Sequence, residues 1–173
     1  MAASTSCRRW SVPELRIGTG VDAHALEPGV PLVLGGVAFD SPRGLAGHSD
    51  GDVITHALID ALLGAAALGD IGAMFPPDDP ELKGISSVKL LREAYGQVRR
   101  AGYELVNADV VFIGQEPRLA PLRSQMQETL AAALDLDEAS RISVRATTTD
   151  GLGFTGRGEG LAAHAVALLA RTT

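Results

Sequence analysis

The sequence predicts a single α+β domain, a mixed sheet covered by helices, on three observations. Its 173 residues, 46% of them hydrophobic and 21% charged, suit one folded unit, because a domain of this size buries about two-thirds of the surface its unfolded chain exposes. Segments of alternating polar and apolar residues, such as "LRIGTGVDAHAL" and "RISVRATTT", take turns with segments of helical period, such as "HSDGDVITHALIDALLGAAALG". No internal repeat, low-complexity tract or second linker breaks that order, so one layered core is the simplest arrangement.

Residues 1–14 read as a flexible N-terminal extension and 15–173 as the domain. The opening "MAASTSCRRWSVPEL" bears Ser and Arg and has no acid before Glu14, which leaves a transit-like segment as the alternative to an untidy extension. After Pro13, "LRIGTGVDAHAL" predicts a strand running into a loop. "VPLVLGGVAF" predicts an extended run broken at Gly35 and Gly36. The long helix starts where Ser49 or Asp50 can cap it, carries Asp52 in its first turn and stops at Gly69. Pro76, Pro77 and Pro80 make "GAMFPPDDPELKG" a loop. A second helix spans about Ser87 to Ala101, "YELVNADVVFIG" is a strand and "APLRSQMQETLAAAL" a third helix. "RISVRATTT" then reads as the last strand and "LAAHAVALLA" as the last helix.

The net charge of −6 and pI near 5.1 exclude non-specific nucleic-acid binding, which needs a basic face. An anionic substrate must therefore meet its countercharge locally, at metal ions, helix N-termini or a few basic residues. The longest apolar stretch, "ALIDALLGAAALGDIG", is interrupted by Asp60 and too short to span a membrane. The single cysteine, Cys7, permits no intrachain disulfide and fits a reducing, cytoplasmic setting.

Near the end, "DGLGFTGRGEG" spells a literal G-x-G-x-x-G at Gly151, Gly153 and Gly156. A dinucleotide fold needs a further strand after the following helix to carry the ribose contact. Nothing after "LAAHAVALLA" supplies one, so the dinucleotide reading is set aside and these glycines call for another explanation.

Three of the four histidines stand beside carboxylates. In "VDAHAL", Asp22 and His24 are two apart and so share one face of an extended segment. On the long helix, His56 has Asp52 and Asp60 four residues to either side, a polar stripe expected to face away from Val53, Ile54, Ala57, Leu58, Ala61 and Leu62. Asp22, His24 and His56 would form a two-His, one-carboxylate site with open positions, which suits catalytic zinc or a non-haem iron triad equally. His48 precedes the helix in "GHSDGD", a stretch that either binds an anion or merely caps. "ATTTDG" lines up Thr147, Thr148, Thr149 and Asp150, which read equally as strand-and-turn residues. The residues alone thus reach a metal-dependent enzyme acting on a small anion.

In order, "GVDAHAL", "GHSDGDVITHALIDALLGAAALGDIG", "MFPPDDP" and "ATTTDGLGFTGRGEG" resemble the 2-C-methyl-D-erythritol 2,4-cyclodiphosphate synthase family of non-mevalonate isoprenoid biosynthesis, from about Leu15 to the end. The resemblance implies a homotrimer of subunits with a mixed four-stranded sheet and outer helices, active sites lying between neighbours. It implies a cyclising phosphorus–oxygen lyase that converts 4-diphosphocytidyl-2-C-methyl-D-erythritol 2-phosphate to the cyclic diphosphate and releases CMP. By the same resemblance, Asp22, His24 and His56 hold Zn2+. Asp150 stands where a Glu usually binds Mg2+ or Mn2+.

His48 and Ser49 would contact phosphate or the methylerythritol unit, Asp70 its hydroxyls, and Thr147 and Thr148 phosphate. The loop of Gly114, Gln115, Glu116, Pro117, Arg118, Leu119 and Ala120 matches the segment whose backbone recognises cytosine. By the same resemblance, Phe154 and Arg157 of "GFTGRGEG" would contact substrate. Thr19, Val21 and His164 replace the family's usual His, Phe and Glu along the trimer channel, where relatives can lodge an isoprenoid diphosphate. Pro77 replaces a common acid. A non-haem iron oxygenase using the same ligands and a trimeric binding protein without catalysis are the competing expectations.

Overall fold

One long strand organises the domain. In the computed structural model, which describes residues 14–172, β1 (Leu15–Pro28) runs for 14 residues. The loop expected at the end of "LRIGTGVDAHAL" is therefore absent, and pairing explains the difference. Leu15 to Ala25 lie antiparallel to the last strand, and Leu26 to Pro28 pair with a short strand of their own. Most of the N-terminal extension, Cys7 included, lies outside the described residues.

β2 (Leu32–Leu34) and β3 (Val37–Phe39) form a separate hairpin. Gly35 and Gly36 close it at φ 57° and 73°, left-handed values that glycine adopts without a Cβ penalty and that two-residue hairpin turns require. β4 (Arg43–Leu45) leads to α1 (Val53–Ala65) and the single-turn α2 (Ile71–Met74). Then come α3 (Ser87–Arg100), β5 (Tyr103–Ile113), α4 (Arg123–Ala133), β6 (Ile142–Thr147), the single-turn α5 (Gly153–Gly156) and β7 (Gly160–Arg171). The loop expected over 72–84 is shorter than predicted: 72–74 belong to α2, and the rest is loop with a 3-10 turn at Pro80–Leu82.

The main sheet has five strands, ordered β4-β1-β7-β5-β6, rather than the expected four. The extra strand is β4, which pairs with the end of β1 that β7 does not reach. β5 and β6 are parallel and the other pairs antiparallel, so the sheet is mixed.

A second correction concerns "LAAHAVALLA", which is the central strand β7 and not a helix. Alanine favours a helix by only a few tenths of a kcal/mol per residue over most alternatives. That bias loses to ladders on both sides, with β1 and β5. The alanines have a packing reason. Ala163, Ala165 and Ala167 are buried on the face beneath α1, while His164, Val166 and Leu168 alternate onto the other face.

α1 is walled in on nearly every side, with only Asp60 and Gly64 not buried. It packs on β1 and β7 on one side and on α3 on another. The contact with β1 is backbone to backbone. A Cβ on Gly20 would overlap the Ala57 carbonyl, and one on Gly18 would overlap the Ala61 carbonyl and the Ala65 nitrogen. The helices cover only this face of the sheet. On the other, Leu15, Ile17 and Val21 of β1 are exposed, Ile17 at 70% and Val21 at 66%.

Gly151, Gly153 and Gly156 build the α5 turn, Gly156 lying so close to Gly151 that no side chain would fit. The strand that follows α5 rules out the helix a dinucleotide cradle would need.

Candidate active site

Gly18, Gly20, Asp22 and His24 share one face of β1, since residues two apart on a strand point the same way. The glycines bring α1 down onto the strand, and the next two positions along that face meet His56. His24 Nε2 and His56 Nδ1 each lie 3.0 Å from Asp22 Oδ2, and the three ligand atoms fall within 4.8 Å of one another. A tetrahedral zinc with bonds near 2.0–2.1 Å would separate its ligand atoms by about 3.3 Å. Two imidazoles and a carboxylate at this spacing therefore fit a divalent metal with small adjustments. Among the described residues this is the one such cluster of three His, Cys, Asp or Glu side chains.

His56 is 7% exposed, so the expectation that it faces away from the core is corrected. It looks into a pocket, but from a helix enclosed on nearly all sides. The polar stripe also divides. Asp52 is not a first-turn residue but the N-cap of α1, in place of Ser49 or Asp50. Its fully buried carboxylate accepts from Ile54 N, Thr55 N and Thr55 Oγ1, and from Gly35 N and Gly36 N of the hairpin turn. Burial raises the Asp52 pKa, and these donors offset only part of that. Asp60, half-buried, accepts from Ile71 N at 2.7 Å and so anchors α2.

The charges inside the cluster reinforce one another. Burial works to raise the Asp22 carboxyl, but hydrogen bonds from His24 and His56 prevail and hold it well below the usual carboxylate range. The Asp22 hydrogen bond raises the His24 pKa against the opposing effect of burial. His56 Nε2 faces away from Asp22, toward Ser87 Oγ at 2.7 Å and Ser49 Oγ at 3.1 Å. Neither role for Ser87 nor one for Asp50 beyond capping was readable in the sequence, because Ser87 lies 31 residues from His56 and 37 from Asp50.

The cluster opens into a cavity of about 360 Å³ lined by Asp22, His24, His48, Ser49 and His56, with apolar walls from Ile71, Phe75, Ile85 and Leu90. Asp70 caps α2 beside it through Oδ1, which accepts from Ala73 N at 2.8 Å. The remaining expected site residues lie elsewhere. Gln115, Glu116, Pro117 and Arg118 line a different depression with Asp40 and Arg43. Leu119 is anchored in the core, Gly114 is packed against Leu161 and Phe112, and Ala120 opens the following 3-10 turn.

Thr147 ends β6 beside that loop, Gly114 N donating to Thr147 O. Thr148 Oγ1 donates to Asp150 Oδ1 at 3.2 Å, and both side chains are exposed. Asp150 and Gly151, at φ 51° and 80°, form the turn their sequence suggests. Phe154 is 43% exposed. Arg157 is held by Glu159 in a two-pronged ion pair at 2.8 and 3.0 Å.

Fold and site together define an α+β domain whose mixed sheet presents a preformed Asp-His-His cluster in a cavity. Residues 15–170 match the model of the YgbB family. The 2-C-methyl-D-erythritol 2,4-cyclodiphosphate synthase of Moorella thermoacetica is 62% identical over 155 residues, 90% of this chain and 94% of that one. The protein of the same name from Syntrophobacter fumaroxidans is 56% identical over 155 residues, 90% and 97% of the two chains.

Among solved structures, the Plasmodium falciparum IspF complex with CDP superposes with a TM-score of 0.81 at 31% identity, covering 94% of this chain and 100% of that one. The bifunctional IspDF of Campylobacter jejuni gives 0.88 at 45% identity over 92% of this chain, which spans 43% of that longer protein. The chain belongs to the YgbB family, that of the 2-C-methyl-D-erythritol 2,4-cyclodiphosphate synthases.

Proposed function

We propose that the protein converts 4-diphosphocytidyl-2-C-methyl-D-erythritol 2-phosphate to 2-C-methyl-D-erythritol 2,4-cyclodiphosphate and CMP, as a cyclising phosphorus–oxygen lyase of the cytoplasm. The observation that carries this reading is the convergence of Asp22, His24 and His56 in one cavity of a chain of this family. In the reaction an oxygen of the 2-phosphate bonds to the β-phosphorus. The bond from that phosphorus to the bridging oxygen breaks, and CMP leaves with the bridging oxygen and its electron pair. A phosphate monoester is largely ionised at neutral pH, so the nucleophile needs no base.

Asp22, His24 and His56 would hold Zn2+, and Asp150 would be the protein ligand of Mg2+ or Mn2+. When bound, such cations supply charge neutralisation and polarisation at the phosphates. The chain's own residues supply placement. His48 and Ser49, at the mouth of the cavity, would hold phosphate or the methylerythritol unit, and Asp70 its hydroxyls. Thr147 and Thr148 would grip the nucleotide phosphates, and backbone groups of 114–120 the cytosine, with Phe154 and Arg157 alongside. Solved relatives bearing CDP support a cytidine nucleotide here. Folding the substrate on itself makes the attack intramolecular, an advantage of roughly 7–11 kcal/mol in favourable systems.

One chain holds these two groups apart. β1 and β6 are separated by β7 and β5, three strand spacings, or about 14 Å. A single phosphate cannot touch Thr147 and the Asp-His-His cluster of the same subunit. With the homotrimer that the family resemblance implies, we place each active site between neighbours, the apolar sheet face bearing Leu15, Ile17 and Val21 packing against the other copies. Whether that channel takes an isoprenoid diphosphate turns on Thr19, Val21 and His164, of which Val21 and His164 stand opposite each other across β1 and β7.

Incubating purified protein with the diphosphocytidyl substrate, Zn2+ and Mg2+ tests the reading. CMP and the cyclic diphosphate should appear together by phosphorus NMR. Linear hydrolysis alone would overturn it.

A further inference from the structure

Behind the cluster lies a hydrogen-bond chain, part-buried at Asp50 and buried at Ser87 and His56, that joins three distant segments. Asp50 Oδ2 accepts from the backbone N–H of Ser87 at 2.9 Å, and Asp50 Oδ1 accepts from Ser87 Oγ. Ser87 Oγ in turn meets His56 Nε2 at 2.7 Å, and the opposite ring nitrogen, Nδ1, faces Asp22. Ser87 is fully buried, and Ser86, the N-cap of α3, makes no side-chain cap. Asp50 thus replaces a local cap from 37 residues away and fixes α3 to the "HSDGD" loop.

Donor and acceptor rules give this chain a direction. An ionised carboxylate only accepts. The Ser87 hydroxyl proton is committed to Asp50, so Ser87 Oγ can only accept from His56. A His56 proton is thereby placed on Nε2, so that with a cation bound Nδ1 would turn a lone pair toward it in place of the contact it makes with Asp22. Outer partners of metal-bound histidines commonly set ring orientation and tautomer in this way.

We propose that Asp50 and Ser87 are positioning residues that act through His56, holding its ring in the orientation and tautomer that bind the cation. The inference rests on the metal role given above to Asp22, His24 and His56. It makes a sharp demand of one conservative variant. In Asp50→Asn, the Ser87 backbone N–H still requires an oxygen opposite it, which turns the amide NH2 toward Ser87 Oγ. That hydroxyl must then accept from the amide and direct its own proton at Nε2. A zinc-loaded His56, carrying its proton on Nε2, would face a second donor.

The test measures Zn2+ dissociation constants on the full chain by chelator competition. Asp50→Asn should weaken binding ten- to a hundredfold, the range seen for such outer partners. Ser87→Ala should weaken it about tenfold, because Ser49 Oγ remains near Nε2. Asp135→Asn, in a surface ion pair with Arg99, should change nothing.

In the zinc-loaded wild type, the His56 Nε2–H should appear by nitrogen-edited NMR as an exchange-protected proton. Ser87→Ala should lose that protection, a change that a purely structural role for Ser87 would not produce. If Asp50→Asn fails to fold, Ser87→Ala decides the matter alone. Unchanged zinc affinity in the folded variants would overturn the proposal. Zinc binding that survives unchanged in His56→Ala would instead overturn the metal assignment beneath it.

Discussion

The two halves of the proposed active site are built differently. The proposed metal half is assembled within one chain from buried, multiply bonded groups. Asp52 satisfies five donors from a fully buried position, Gly18 and Gly20 seat α1 directly on β1, and His56 is pinned on both ring nitrogens. The nucleotide half, on the loops after β5 and β6, is exposed and sparsely tied. The side chains of Thr147 and Thr148 are exposed and make only contacts of 3.2–3.3 Å to residues one or two positions away. Where charge must be met by fixed dipoles, the chain supplies preorganisation itself. Where, on the proposed reading, a nucleotide would enter and a product leave, it presents exposed loops.

This contrast can be broken experimentally, and the largest effect belongs to the metal half. His56→Ala should lower turnover at least about a thousandfold, some 4 kcal/mol of lost transition-state stabilisation. Circular dichroism should show the fold retained. Asp52→Ala strands several buried donors and should cost about 3–4 kcal/mol in urea unfolding, with zinc affinity falling in step because the cap positions α1. Gly20→Ala forces a Cβ into the Ala57 carbonyl and should cost about 3 kcal/mol. An equally stable Gly20→Ala would show that the seam has slack.

The nucleotide half should respond in the opposite sense. Thr147→Ala should reduce kcat/KM by about ten- to a hundredfold, the loss of a hydrogen bond to a charged group. Its urea midpoint should stay within about 0.5 kcal/mol of wild type. A large stability loss there would erase the distinction drawn between the halves.

The smallest effect is a pH dependence at the anchor of α2. Burial raises the Asp60 pKa above its unfolded value, so the folded state binds the extra proton between the two values. Stability contributed by this group is then highest below the unfolded pKa and declines as pH rises through the raised folded one. Asp60→Asn should flatten that slope in chemical denaturation at acid to neutral pH.

Legibility in the sequence followed the range of the interaction. The i, i+2 pairing of Asp22 with His24 needed only strand geometry, and both fell on the expected face. His56 was found from its spacing on the helix, but its burial was not, because amphipathic reasoning assumes one wet side and α1 has almost none. Asp52 was misplaced by one structural role, since its decisive partners, Gly35 and Gly36, come from the preceding hairpin. The alanines of β7 point to a helix until a helix is known to lie across them. Ser87 had no signal beyond beginning α3, for its partners lie at distances in sequence that no local pattern encodes. The fifth strand was likewise a matter of lengths, β1 outrunning β7.

The seam between α1 and β1 has a further meaning for how this molecule tolerates change. Two bare positions within a strand of ordinary appearance leave the helix no room to slide, so the imidazole it carries inherits its placement from hydrogen atoms. A saturation library of the whole chain should therefore find Gly18 and Gly20, which touch neither cation nor nucleotide, nearly as intolerant as the ligands themselves.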